Sequence, residues 1–149
     1  MHTSGPIKNR RAFLMKVVAL AAIALCCAFA RAQTGNPAPE IRWYEAAVQM
    51  KRLAESWGDQ PYGAVLVLNG ELVGRGPSRV IKDRNPDAHA EREAIRDAQT
   101  RLGQQQLPGA ILYSTSRPCS LCEAAAARAG VSRMYFGPSL TDAGIPGGP

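Results

Sequence analysis

Two short stretches hold the residues best suited to chemistry in this chain: Asp87-Ala88-His89-Ala90-Glu91 and Arg117-Pro118-Cys119-Ser120-Leu121-Cys122. Brought together, they offer one imidazole, two thiols and one carboxylate. Imidazole and thiolate are favoured zinc ligands, and three protein ligands leave the fourth tetrahedral position open. An open position belongs to a metal that works on water, whose pKa it lowers to about 7, rather than to one that only ties a fold together. Each motif alone supports a plainer reading. A single histidine at a helix start is more often a satisfied hydrogen-bonding residue. A Cys-x-x-Cys that opens a helix after a strand also describes a thioredoxin-like thiol–disulfide pair. The redox reading leaves His89-Ala90-Glu91 unexplained, whereas a metal centre uses both stretches.

Both stretches need rigid supports, and the apolar pattern supplies them. From Ile41 to Trp57 the residues Trp43, Ala46, Ala47, Met50, Leu53, Ala54 and Trp57 recur at three- and four-residue steps. That spacing predicts an amphipathic helix stopped by Gly58, its Trp and Met stripe packed in the core. Tyr62 to Leu68, then Asn69-Gly70, then Glu71 to Gly76 reads as a hairpin, because Asn and Gly both accept positive φ. The near-continuous apolar first strand predicts burial on both faces.

A second helix is expected from Asp87 or Ala88, with Asp87 as cap, to Arg101 and a stop at Leu102-Gly103. Its Glu93, Asp97, Arg92, Arg96 and Arg101 form a solvated charged face. Ala110–Ser114 reads as a strand, Cys119–Ala129 as a helix ended by Gly130, and Val131–Phe136 as a last strand. The two strand–helix–strand crossovers predict parallel pairing and a layered α/β/α domain. His89 and Glu91 then fall in the first turn of one helix, and Cys119 and Cys122 in the first turn of the next. Helix starts favour thiolate, since unpaired N–H groups and the dipole stabilise negative charge.

The 149-residue chain has a net charge of +6, but the charge is uneven. Residues 1–32 carry Arg10-Arg11 ahead of Phe13-Leu14, an apolar run from Val17 to Ala30 without acids, and Ala30-Arg31-Ala32 as a cleavage site. This reads as an export signal of twin-arginine type, directing a folded protein to a bacterial periplasm; a general secretory signal or an uncleaved anchor helix is the alternative. Cleavage removes five of the 18 basic residues and no acidic one, leaving a chain near neutrality. Nothing there demands a polyanionic partner, so a small-molecule substrate is expected rather than nucleic acid, with no stable membrane association after cleavage. Cleavage also removes His2, Cys26 and Cys27, so the remaining His and Cys are His89, Cys119 and Cys122 alone. Thiols in an oxidising compartment pair unless a metal holds them. Residues 33–40 form a flexible Pro-containing leader, 41–137 the folded domain, and 138–149 a Gly/Pro-rich tail with no regular element expected.

The spacing His-x-Glu followed by Pro-Cys-x-x-Cys resembles the zinc-dependent cytidine/deoxycytidylate deaminase superfamily. Pro61-Tyr62-Gly63-Ala64-Val65-Leu66-Val67, Asn85 through Glu91, Leu112-Tyr113-Ser114-Thr115 and Arg133-Met134-Tyr135-Phe136-Gly137 are similar to its tRNA-adenosine and guanine deaminase branch. The resemblance implies a cytidine deaminase-like three-layer fold with a mixed sheet, one zinc per chain and commonly a homodimer. It implies His89, Cys119 and Cys122 as ligands and Glu91 as the proton shuttle of a hydrolytic deamination that releases ammonia from a nucleobase, nucleoside or related amino-heterocycle. A zinc-binding homologue without turnover is the other reading within the family.

Around the motifs, Ser78, Ala90, Ser116 and Arg117 are the candidate substrate contacts. Ser78 stands where the branch usually has Asn to bond the purine. Arg117 stands where it usually has Glu, and a cation there either favours an anionic substrate or pairs with an acidic neighbour. The chain is also expected to end short of the branch's fifth strand and closing helix, leaving the last strand as an open edge or covered by a partner.

Overall fold

The computed structural model describes residues 38–147. The expected export signal, with Cys26, Cys27 and His2, and most of the expected leader lie outside these residues. Helix α1 spans Ile41–Ser56 and is followed by strands β1, Gly63–Leu68, and β2, Glu71–Pro77. Helix α2 is Ala90–Leu102, β3 is Ile111–Ser114, α3 is Ser120–Arg128, β4 is Arg133–Phe136 and β5 is Thr141–Gly144. Among the described residues no helix is long and apolar enough to cross a membrane.

The hairpin forms where the Asn-Gly pair predicts it, with φ of 52° at Asn69 and 77° at Gly70, the two positive values a type I′ turn requires. The five strands make one sheet in the order β2-β1-β3-β4-β5. Among the described residues parallel pairing holds only for β3 with β4. The crossover through α2 does not place β3 beside β2, because β1 lies between them and pairs antiparallel with both. Central β1 is buried along nearly its whole length, as its unbroken apolar run predicts.

The sheet separates two cores. On one face Val65, Val67, Ile111, Tyr113 and Tyr135 pack with Ala47 of α1, with Trp43 and Met50 partly buried against them. On the other, Leu66, Leu112 and Met134 meet Ile95 and Ala98 of α2 and Ala126 of α3. This is the expected three-layer α/β/α sandwich. Leu53 departs from the expected face of α1 and is 38% exposed. Trp57 lies at the helix end, with the Lys82 ammonium 3.4 Å and the Arg79 guanidinium 5.5 Å from its ring centroid. Its face is therefore cation-covered rather than core.

Two corrections concern the second helix and the tail. Helix α2 starts three residues after Asp87, with His89 at its N-cap. Asn85-Pro86-Asp87 closes a turn instead: the Asp87 N–H donates to Asn85 Oδ1 and the Ala88 N–H to the Asn85 carbonyl. The Asp87 carboxylate accepts from Arg92 at 2.6 Å rather than capping. In the tail, Thr141–Gly144 forms a regular strand antiparallel to β4, so β4 is not an open edge. The Arg133–Asp142 ion pair bridges the two strands.

Candidate metal centre

Two helix starts converge on one point. His89 is the N-cap of α2 and Cys119 the N-cap of α3, both in extended backbone and neither capping with its side chain. Their side chains are thus free to face outward from the first turns. Cys122, three residues after Cys119 in the first turn of α3, lies on the same side of the helix start as Cys119. The ligand atoms of His89, Cys119 and Cys122 all fall within 4.8 Å of one another.

The donor spacing fits zinc. Bond lengths of about 2.3 Å to sulfur and about 2.0–2.1 Å to nitrogen in a tetrahedron put an S···N edge at roughly 3.5–3.6 Å. Cys122 Sγ lies 3.5 Å and Cys119 Sγ 3.7 Å from His89 Nδ1. Nδ1 is therefore the imidazole atom facing the thiols. Cys122 and Glu91 are buried, while Cys119 is exposed.

Glu91 stands beside the ligand set without joining it, its Oε2 accepting from the Cys122 thiol at 3.5 Å. Burial pushes its carboxyl above the usual carboxylate range, against the opposing pull of its own N–H, the Cys122 thiol and His89. Burial likewise pushes the Cys122 thiol far up, and the neighbouring Glu91 charge adds to it. The helix start alone was expected to favour thiolate there. Burial therefore opposes what the helix start favours at Cys122.

A cleft of about 430 Å³ opens onto this cluster, lined by Gln60, Tyr62, His89, Ala90, Glu91, Ser116, Arg117 and Cys119. Ala90, Ser116 and Arg117 thus lie where substrate contacts were expected. Ser78 does not. It is fully buried, and its hydroxyl donates to Asp59 Oδ1 at 2.9 Å. Gln60 and Tyr62, on the α1–β1 loop, are cleft residues that no chemical motif announced. Asp59 beside them was equally silent. Its buried carboxylate also accepts from the N–H groups of Gln60, Ile81 and Lys82 at 2.7, 3.0 and 2.8 Å. Burial acts to raise the Asp59 pKa, but these bonds outweigh it and hold the carboxyl below its ordinary range. A second cavity, of about 280 Å³ between α2 and α3, includes Gln99, Gln106 and Arg128. The amides of both glutamines already donate to backbone carbonyls, and no metal ligand lines it.

The centre and fold agree with what known proteins share with this chain. Residues 38–138 match the family model described as the cytidine and deoxycytidylate deaminase zinc-binding region. A tRNA-specific adenosine deaminase of Agrobacterium fabrum is 41% identical over 100 residues, covering 67% of this chain and 66% of the relative. The chain thus spans slightly less than two thirds of that relative's length. A solved structure from work on A-to-I editing by tRNA:A34 deaminases superposes with a TM-score of 0.63 at 41% identity, covering 66% of this chain and 71% of the other. The structure of guanine deaminase from Bacillus subtilis also gives 0.63, at 32% identity, covering 66% and 64%. With the matching ligand geometry already in place, the chain belongs to the zinc-dependent cytidine and deoxycytidylate deaminase family, in the branch that includes the tRNA-adenosine deaminases.

Proposed function

We propose that this protein is a hydrolytic deaminase of a small amino-substituted heterocycle, a free base or nucleoside. The observation that carries the reading is Glu91, a buried carboxylate in the cleft that touches a ligand residue and is not itself needed as a ligand. His89 Nδ1 and the two cysteine sulfurs would hold zinc, which when bound would supply Lewis-acid activation of water. Glu91 Oε2 takes one proton from the attacking water and gives it to the ring nitrogen, then takes the second proton from the new hydroxyl and gives it to the amine, so that the C–N bond breaks and ammonia leaves.

A thioredoxin-like redox pair fits less well, since it gives no role to His89 and Glu91 standing against the cysteines. A small substrate is favoured over tRNA by the near-neutral charge after residue 32 and by the proposed export to the periplasm. Export is tested by fractionating cells that express the full chain, with Arg10 and Arg11 both changed to Lys. A homodimer is part of the same proposal, tested by light scattering.

The decisive assay measures ammonia release by zinc-loaded protein across free bases and nucleosides. Glu91→Gln is expected to lower the rate at least about 100-fold while keeping its zinc. Zinc binding with no release from any substrate would instead support a non-catalytic homologue.

A further inference from the structure

Arg117 is the arginine or lysine that lines the cleft, together with His89, Glu91 and Cys119. It sits two residues before a ligand candidate, at the end of the β3–α3 connection, and its side chain is exposed rather than packed away. Arg79, Arg92, Arg96, Arg101 and Arg133 each have a carboxylate partner. Arg117 has none among the described residues, neither ion pair nor side-chain hydrogen bond. The carboxylate that shares the cleft, Glu91, is turned inward to Cys122. Of the two expectations for this cation, an acidic neighbour is therefore the one the structure does not provide.

Charge makes the position informative. The other ionisable groups of the cleft are a carboxylate, a thiol that becomes thiolate as a ligand, an imidazole and the Tyr62 phenol, none of them a fixed cation. Two thiolates offset a divalent metal, so Glu91 leaves the centre with no surplus positive charge to draw in an anion. A cation at the wall is what an anionic substrate needs there. The planar guanidinium presents paired N–H donors that match phosphate or carboxylate oxygens. A cleft of 430 Å³ falls within the ordinary range for small ligands, about 300–1,000 Å³.

We infer that Arg117 selects substrates carrying an oxyanion, gripping a phosphate or carboxylate of the same molecule whose amino group is removed. This rests on the deaminase reading and narrows it from amino-heterocycles in general to their anionic members.

The test compares paired substrates with the full chain loaded with zinc. Adenosine, cytidine and guanosine are set against their 5′-monophosphates, and an aminopyrimidine against its carboxylic acid, which separates phosphate from carboxylate as the source. The wild type is expected to prefer the anionic member of at least one pair in kcat/KM. Arg117→Gln is expected to cut that anionic-to-neutral ratio roughly tenfold to a hundredfold, Arg117→Glu further, and Arg117→Lys in part. Zinc content of each variant reports whether the centre survives. A ratio unchanged by Arg117→Gln, with zinc retained, overturns the inference while leaving the deaminase reading intact. If no substrate releases ammonia, the deaminase reading falls. Calorimetric binding of AMP and inorganic phosphate then still judges Arg117: wild-type binding lost in Arg117→Gln supports it, and equal binding overturns it.

Discussion

Ser78 Oγ donates to Asp59 Oδ1 at 2.9 Å, and both residues are buried. The contact joins the α1–β1 loop, which supplies Gln60 and Tyr62 to the cleft, to the segment that follows β2. That segment is tied onward by the Arg79 N–H to the Ala88 carbonyl, one residue before His89. Asp59 therefore connects the cleft wall to a metal ligand through two hydrogen-bonded links. It is a positioning residue.

Asp59→Asn is expected to destabilise the fold by about 2 kcal/mol or more, because the amide nitrogen faces buried N–H donors that lose their charged acceptor. Urea unfolding of the zinc-loaded protein measures it. Ser78→Ala removes a single one of the four donors and is expected to cost about 1 kcal/mol. Equal losses in the two variants would show that Ser78, not Asp59, organises the junction.

The same carboxylate sets a pH dependence. Its folded pKa is depressed, so its stabilisation is fully present above the unfolded carboxyl value of about 4. It is lost as pH falls through the lower folded value. The stability gap between wild type and Asp59→Asn is therefore expected to be constant from pH 7 to 5 and to shrink below about pH 4. Denaturant midpoints across that range check the sign. A gap that widens with acid contradicts a depressed Asp59.

What could be read from the sequence was mostly local. Asn69-Gly70 specifies its turn by backbone sterics alone, and the three donor groups of the centre and the Glu91 carboxylate beside them announce themselves by type and spacing. The burial of Ser78 is not legible in the sequence, because its partner lies 19 residues earlier and carries no motif. The place of β1 between β2 and β3 is likewise a matter of long-range pairing. Strand β5 is short and without alternation. It owes its form to pairing with β4, to Arg133–Asp142, and to a turn that places Leu140 at φ 49°. The Asn85-Pro86-Asp87 turn displaced the start of α2, since the Asn85 side chain competes for N–H groups that a helix would use.

Strand β2 predicts a link between packing and metal binding. A Cβ on Gly76 would lie 1.9 Å from the Ala90 carbonyl oxygen, and one on Gly74 2.1 Å from that of Ala94. Those atoms are helix backbone and have little room to yield. Gly76→Ala is expected to cost about 3 kcal/mol, at the upper end for overpacking, and to lower zinc content by lifting the helix start that carries His89 and Glu91. Gly70→Ala, strained at φ 77° with open space around it, is expected to cost about 1–2 kcal/mol with full zinc content. Unfolding curves and metal analysis of the two variants distinguish local packing from general instability.

The ligands differ in access, and that difference is testable without any substrate. Cys119 is exposed and Cys122 buried against Glu91. Thiolate, not thiol, reacts with alkylating agents, and burial pushes the Cys122 thiol far up. In metal-free protein iodoacetamide is expected to modify Cys119 at least about tenfold faster than Cys122, because Cys119 is accessible and burial holds Cys122 as the unreactive thiol. Zinc is expected to suppress reaction at both positions by occupying the sulfurs together. His89→Ala is expected to weaken that protection at each cysteine, since the imidazole completes the ligand set. Mass spectrometry of timed samples reads the two sites separately. Protection that survives His89→Ala undiminished would remove His89 from the metal centre.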